Sequence, residues 1–299
     1  MISIERTLCN SCGICVTICP RRILRLEEEG VKVTDPAMCM TCGHCKAVCP
    51  TNAPKFNLGD EGFESIPQKE EIPSPSAFLH FIRRRRSIRR YVEKPIEKEK
   101  LAMIVQAGRY SPTGGNRQAC EFTVVSGRKT LNEVCTLAIQ QLLNEARLIR
   151  EIFNRQERLK EPVPEEYISK QALPSVWERI GRAWEGGQDQ LLYHAPSLIL
   201  IHLNEGLATT GVIDAGIASI NMIHMAETLG LGACYIAFLV WAVQGSKALQ
   251  SFLKIPVSNR LHIAFTVGYP KVKYLRLVDR RPAKIAWLGT HEKEDQAPE

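Results

Sequence analysis

The 299-residue sequence has no long hydrophobic run. Its longest uninterrupted apolar stretch, Ala233–Val243, is too short for a bilayer-spanning helix, which needs about 20 residues. The first residues do not combine a basic segment with an apolar stretch, so no secretory signal is expected. The hydrophobic content of 44% and the charged content of 24% are typical of a folded globular protein. The composition thus excludes a membrane-spanning protein and a disordered chain.

Two nucleotide-binding signatures are also missing. No Gly-x-Gly-x-x-Gly follows a predicted strand, and no phosphate loop ending in Gly-Lys-Ser/Thr is present. These absences count against a dinucleotide-binding fold and against a nucleotidase.

Cysteine is abundant and unevenly distributed. Eight of the eleven cysteines lie between residues 9 and 49, and only Cys120, Cys135 and Cys234 lie outside. A secreted disulfide scaffold would be cysteine-rich along its whole length and would carry an export signal. The cluster therefore predicts metal ligation in a reducing compartment, the cytoplasm.

The eight clustered cysteines form an internal repeat. The pattern Cys-x2-Cys-x2-Cys-x3-Cys-Pro begins at Cys9 and recurs from Cys39, with Gly after the second cysteine of each run. In two-cluster iron–sulfur proteins the fourth cysteine of each run ligates the other cluster. The first predicted ligand set is Cys9, Cys12, Cys15 and Cys49, and the second is Cys39, Cys42, Cys45 and Cys19. A zinc ribbon is the alternative, but it would use four cysteines and leave the other four unexplained.

Residues 1–56 resemble the bacterial ferredoxins that hold two [4Fe-4S] clusters, and the resemblance covers all eight cysteines. Residues 57–77 are rich in Gly, Pro, Ser and acidic residues and are predicted to be a linker. Residues 78–299 have the alternating helical and strand patterns of a globular domain. The predicted strands are Glu121–Ser126, Ser197–Leu203 and Leu261–Val267, and Ile213–Leu229 is predicted as a buried or interface helix.

The segment Arg83–Arg90 holds six arginines in eight residues. Three interpretations are open: a solvated basic face, a nucleic-acid-binding patch, and a site where arginines and Ser87 converge on a phosphate. The net charge of +7 agrees with the second interpretation, but it does not require it.

Four segments in order resemble the nitroreductase family of FMN flavoproteins: Arg85–Arg89, Ser111–Asn116, Gly230–Tyr235, and Gly268–Pro270 with the basic residues after it. This resemblance covers about residues 78–288. It implies an α+β fold with a mixed, mainly antiparallel sheet flanked by helices, and a homodimer that binds FMN at the subunit interface.

The resemblance also implies roles for individual residues. Arg85, Ser87 and the adjacent Arg86 would bind the FMN phosphate, and Arg89 would lie at the pyrimidine edge of the flavin. Asn116 would lie near the ring and ribityl chain. The backbone at Tyr235, Ile236 and Ala237 would face the flavin. Arg280 would complete the phosphate clamp, with Arg281 or Arg276 as alternatives. No side-chain acid or base is predicted, since the chemistry belongs to the flavin.

The sequence thus predicts an oxidoreductase that passes electrons between two [4Fe-4S] clusters and FMN to reduce a small organic acceptor such as a nitro compound or quinone. External ferredoxin or NAD(P)H is the expected electron donor. One alternative is an NAD(P)H-oxidising flavoprotein that delivers electrons outward through the clusters. The other is a non-enzymatic iron–sulfur regulator that binds nucleic acid through Arg83–Arg90.

Overall fold

The computed structural model of the chain describes residues 2–56, 66–160 and 162–289. The cysteine-rich part is built from short elements. They are β1 (Ser3–Ile4), α1 (Ile14–Ile18), β2 (Leu24–Glu27), β3 (Gly30–Val33), α2 (His44–Ala47) and β4 (Pro54–Lys55). Strand β1 pairs with β4 and β2 pairs with β3, both antiparallel. Residues 57–65 of the predicted linker lie outside the described residues.

The repeated glycine has a structural reason in this domain. Gly13 and Gly43 are the residues before α1 and α2, and both are left-handed, with φ of 71° and 74°. A residue with a Cβ is disfavoured there, so glycine lets each cysteine loop turn directly into its helix.

The larger part of the chain contains eight helices and four strands in the described residues. The helices are α3 (Pro75–Arg84), α4 (Lys98–Arg109), α5 (Arg128–Leu159), α6 (Glu165–Ile168), α7 (Leu173–Glu185), α8 (Gly211–Thr228), α9 (Ala237–Gly245) and α10 (Lys247–Phe252). The strands are β5 (Glu121–Ser126), β6 (Ser197–Leu203), β7 (Gly232–Tyr235) and β8 (Arg260–Gly268), in the order β5-β6-β8-β7. All three strand pairs are antiparallel, which confirms the predicted α+β class.

Strand β6 separates two hydrophobic cores. Its alternate residues Leu198 and Leu200 pack with α5, α7 and α9, whereas Ile199 and Ile201 pack with α4 and α8. All seven β6 residues are buried, as expected for a central strand covered on both faces. The sheet is therefore a rigid platform from which the edge strand β7 and helix α8 present their residues.

The second half of α5 and helices α6 and α7 pack onto this platform. Helix α7 packs along α5, where Arg150 donates to Glu178 at 2.6 Å, and the buried Trp177 contacts Phe238 edge-on. Pro162 and Pro164 fall between α5 and α6, and Pro174 lies in the first turn of α7. None of the described helices is long and apolar enough to cross a membrane.

Candidate functional site

The cysteine repeat forms two cavities. Cys9, Cys12 and Cys15 of the first run line one cavity together with Cys49 of the second run. Cys39, Cys42 and Cys45 line the other cavity together with Cys19. Each grouping is a set proposed from the sequence, three cysteines from one loop and one from the other. Four sulfurs around a cavity suit a cubane cluster, which needs converging thiolates.

The thiols in these cavities are close enough to influence one another. Burial raises the pKa of Cys15, and the nearby Cys49, Cys12 and Cys9 raise it further. Burial also raises the pKa of Cys45 to about 11. No three Cys, His, Asp or Glu side chains of the described residues converge tightly enough to hold a single metal ion.

The arginine-rich segment leaves α3 and runs as an extended chain along the edge of the sheet. Ser87 forms a parallel bridge with Ala233 of β7, and the Ile88 amide donates to the Ala233 carbonyl at 3.0 Å. The approach is close: a Cβ on Gly232 would lie 2.3 Å from Ile88 Cγ1. Glycine at 232 therefore lets the segment pair with β7, which fixes the position of Ser87.

The arginines of this segment have different surroundings. Arg83, Arg84, Arg89 and Arg90 are exposed, whereas Arg85 and Arg86 are half-buried. The Nε and Nη2 atoms of Arg86 are buried, and no hydrogen-bond partner for them is found in the described part of the chain. They line a cavity of about 560 Å³ beside Glu227 of α8. Burial raises the pKa of Glu227, and the nearby Arg84, Arg85 and Arg86 oppose that shift. Two unpaired guanidinium donors in a cavity fit an anionic group such as a phosphate.

Arg89 lies at a second cavity, of about 360 Å³, which Tyr235, Ile236 and Ala237 also line. Four residues proposed from the sequence are thus brought together around one space large enough for a small organic ligand. Cys234 and Tyr193 lie against Arg89 and raise the pKa of its guanidinium, whose carbon is 5.8 Å from the Tyr193 ring centre.

Tyr193, Arg179 and Gln190 also line this cavity, although no sequence motif indicates their role. Tyr193 and His194 are both left-handed, with φ of 59° and 52°, a conformation that costs energy for residues other than glycine. Asp189 holds the turn, because its carboxylate accepts from the amides of Leu191, Leu192 and His194 at 2.7–2.9 Å. Asp189 lies four residues before Tyr193 and five before His194, and an Asp at this distance is only a weak sequence signal of such a turn.

The backbone at the turn into α9 offers donors to this cavity. The Ile236 amide is already used, since it donates to the Ala264 carbonyl at 2.8 Å. Ala237 and Phe238 begin α9, so their amides have no partner inside the helix. Of the predicted trio, Ala237 therefore offers a backbone donor at the start of α9, and Phe238, outside the trio, offers the next one.

Asn116 lies elsewhere in the protomer. Its side-chain amide donates to the carbonyls of Met40 and Thr41 in the cysteine-rich domain, at 3.0 Å each. Its loop is held at the N-terminal end of α8, where Asp214 Oδ1 accepts from the Gly114 amide at 3.0 Å.

Arg280 and Arg281 are exposed in the extended segment after β8. Within the described residues, no hydrogen bond or ion pair joins either arginine to Arg85 or Ser87. Their predicted role in a phosphate clamp stays a prediction.

Comparison with known proteins places both domains. Residues 82–269 match the nitroreductase family, and residues 8–53 match the 4Fe-4S dicluster domain. Iodotyrosine deiodinase of Daphnia pulex is 24% identical over 223 residues, which cover 70% of this chain and 64% of the relative. The chain thus spans less than two thirds of the length of that relative.

Solved structures agree with this fold. A nitroreductase with bound FMN from Bacteroides fragilis superposes with a TM-score of 0.51 and 21% identity, over 71% of this chain and 98% of that one. A nitroreductase with bound FMN from Desulfitobacterium hafniense gives a TM-score of 0.51 and 20% identity, over 71% and 97%. The sheet order and the paired arginine segment agree with the family match. The chain therefore belongs to the nitroreductase family of oxidoreductases and carries a 4Fe-4S dicluster domain before the nitroreductase domain.

Proposed function

We propose that the protein passes electrons between two [4Fe-4S] clusters and FMN and reduces a small organic acceptor such as a nitro compound or a quinone. The observation that carries this proposal is the presence, in one chain, of two cavities each lined by four cysteines and a third lined by Arg89 and the turn into α9. When bound, the clusters would supply single electrons and FMN would combine them into a two-electron reduction.

The residues of the chain have defined tasks in this scheme. Ser87, fixed by its pairing with β7, and Arg85 and Arg86 before it would hold the FMN phosphate through charge-assisted hydrogen bonds. Arg89 would place a positive charge at the edge of the ring, where reduction increases negative charge, and so favour the reduced state. The amide of Ala237 would donate to a ring acceptor. Arg280 or Arg281 would add a further phosphate contact from the extended C-terminal segment.

We further propose a homodimer built on α8. The helix leaves Val212 and Ile213 exposed, at 66% and 62%, and a Cβ on Gly216 would meet nothing within 4 Å. A glycine facing open space on an apolar helix allows a second helix to approach closely. The Asn116 loop contacts α8 at Asp214, and Arg86 lies beside Glu227 of the same helix. At about 1.5 Å per residue, Asp214 and Glu227 are about 20 Å apart along the helix axis.

Antiparallel pairing of two α8 helices would bring these two ends together across the dimer. The Asn116 loop of one protomer would then lie beside the Arg85–Arg89 segment of its partner. This arrangement reconciles the predicted role of Asn116 near FMN with its distance from Arg86 inside one protomer.

The test is to purify the full chain anaerobically, record its visible spectrum, and quantify iron and flavin. Eight irons and one FMN per chain, with flavin reduced by external ferredoxin or NAD(P)H, are expected, and comparing the two donors decides the direction of electron flow. A colourless chain, or iron without flavin together with salt-sensitive DNA binding, would refute the proposal and favour the nucleic-acid regulator.

A further inference from the structure

The two cysteine sets are not equivalent with respect to the rest of the molecule. Asn116 Nδ2 donates to the carbonyls of Met40 and Thr41, at 3.0 Å each. Met40 and Thr41 are the two residues between Cys39 and Cys42, so both bonds go to the loop that carries the second set. The nitroreductase domain therefore contacts the cysteine-rich domain at one particular cluster loop.

The loop that presents Asn116 is built to hold this side chain in place. Gly115, Asn116 and Gln118 all have positive φ, between 50° and 60°. The Gln118 amide donates to Thr113 Oγ1 at 3.0 Å, and the Gly114 amide donates to the buried Asp214. A Cβ on Gly114 would lie 2.3 Å from Thr210 Oγ1, so the loop is seated directly against the start of α8. A rigid loop loses little entropy when its amide binds the cluster loop.

The corresponding loop of the first repeat, between Cys9 and Cys12, lacks a contact of this kind in the described residues. Asn10 and Ser11 occupy the places of Met40 and Thr41, and Asn10 Oδ1 accepts from the Cys12 amide of its own loop at 3.3 Å. Among the described residues, no hydrogen bond joins this loop to residues 66–289. In the described part of the chain, hydrogen bonds therefore join the nitroreductase domain to the loop of the second set and not to the loop of the first.

We propose that Asn116 is a positioning residue that docks the cysteine-rich domain, so that the second set (Cys39, Cys42, Cys45 and Cys19) exchanges electrons with FMN and the first set (Cys9, Cys12, Cys15 and Cys49) with the external one-electron carrier. This inference rests on the proposed function. Two successive one-electron transfers from a reduced ferredoxin-type donor reduce FMN by two electrons, with protons taken from solvent. The donor is oxidised by one electron at each transfer.

Docking can be tested separately from electron transfer. Asn116→Asp keeps the shape of the side chain and tolerates positive φ, but a carboxylate cannot donate to two carbonyls. Hydroxyl-radical footprinting of the full chain then measures how accessible Met40 is, because an accessible methionine sulfur is readily oxidised. We expect Met40 to become several-fold more reactive, while Met38, already 51% exposed, stays unchanged and serves as an internal control. Asn10→Asp, at the matching position of the first repeat, should leave Met40 as in the parent.

The order of the clusters is tested with ligand variants at matching positions, Cys12→Ser and Cys42→Ser, in the full chain. Reduced methyl viologen is the donor, because a small reductant reaches either cluster directly. We expect Cys42→Ser to lose the fast phase of flavin bleaching in stopped flow and Cys12→Ser to retain it. Equal loss in both variants, or loss only in Cys12→Ser, would overturn the assignment.

Two controls keep this inference distinct from the proposed function. Iron and flavin are quantified in every variant, and a parent chain that holds no flavin or no iron refutes the proposed function itself. If Cys42→Ser does not fold, the footprint decides: unchanged Met40 reactivity in Asn116→Asp overturns the docking role.

Discussion

The phosphate clamp gives the sharpest prediction, because the backbone that carries it is fixed independently of any ligand. Ser87→Ala removes one hydroxyl, while the bridge to Ala233 and the Ile88 amide bond at 3.0 Å are made by main-chain atoms and persist. The variant should therefore fold like the parent and differ only in its affinity for FMN. Arg85→Ala removes a charged partner from the same segment, just after the end of α3.

A hydrogen bond to a charged group contributes about 1.5–3 kcal/mol. Since about 1.4 kcal/mol corresponds to a tenfold change in Kd, each variant should bind FMN roughly 10- to 150-fold more weakly. The assay is titration of the flavin-free full chain with FMN, followed by the fluorescence of free flavin.

The matched control is Arg83→Ala, which removes an exposed arginine from the last turn of α3. It lowers the net charge by the same amount as Arg85→Ala, so a purely long-range electrostatic effect would weaken both equally. Parental FMN affinity in both Ser87→Ala and Arg85→Ala would refute the clamp, and equal weakening by Arg83→Ala would show that position within the segment is irrelevant.

Three other predictions concern the potential, the pH dependence and the domain organisation. Arg89→Ala should lower the flavin midpoint potential, and expressed as free energy this effect should exceed its effect on FMN binding. Arg89→Lys should restore much of the potential, as measured by anaerobic redox titration. The Tyr269 hydroxyl donates to Glu97 at 2.5 Å, and this bond above all lowers the pKa of Glu97 to about 2. A depressed carboxyl pKa adds stability above the unfolded-state value, and this stability is lost as the pH falls toward about 2. The loss of melting temperature caused by Glu97→Gln should therefore be largest near neutral pH and vanish in acid. A chain beginning at Ser74 should fold, dimerise and retain FMN, because the two hydrophobic cores of the nitroreductase domain contain no residue before Ser74. Reduced ferredoxin should nevertheless bleach the flavin of this shortened chain far more slowly than the flavin of the full chain. Equal bleaching rates would show that the cysteine-rich domain is not the route of electrons.

Residue type and hydrophobic periodicity predicted those strands and helices whose sequences carry a clear local pattern. The β-branched runs at 121–126 and 197–203 are strands with the predicted bounds, and the small-residue helix predicted at 213–229 is α8. Strand β7 was missed, because Gly232–Tyr235 follows a helix-ending glycine and is short. It is a strand through its pairing with β8 and with the segment at Ser87, and a tertiary contact of this kind leaves no periodic signal.

The same limit explains what sequence reasoning could foresee of the site. Arg89 and Tyr235–Ala237, proposed from family resemblance, line one cavity, but Arg179 and Tyr193 reach it from segments with no motif. The contact between Asn116 and Met40 joins two domains that are far apart in sequence. The residue spacing within one segment carries no information about a contact with another segment.

Helix α8 has a thermodynamic consequence. It meets the Asn116 loop at one end and lies beside Arg86 at the other, so in the proposed homodimer each protomer would contribute two half-sites rather than one complete site. In the proposed antiparallel pair, cofactor binding and subunit association would be linked equilibria, and each would strengthen the other by the same factor. Added FMN should tighten the dimer, and dilution should release FMN. The concentration of the protein itself would then set how much of it is loaded.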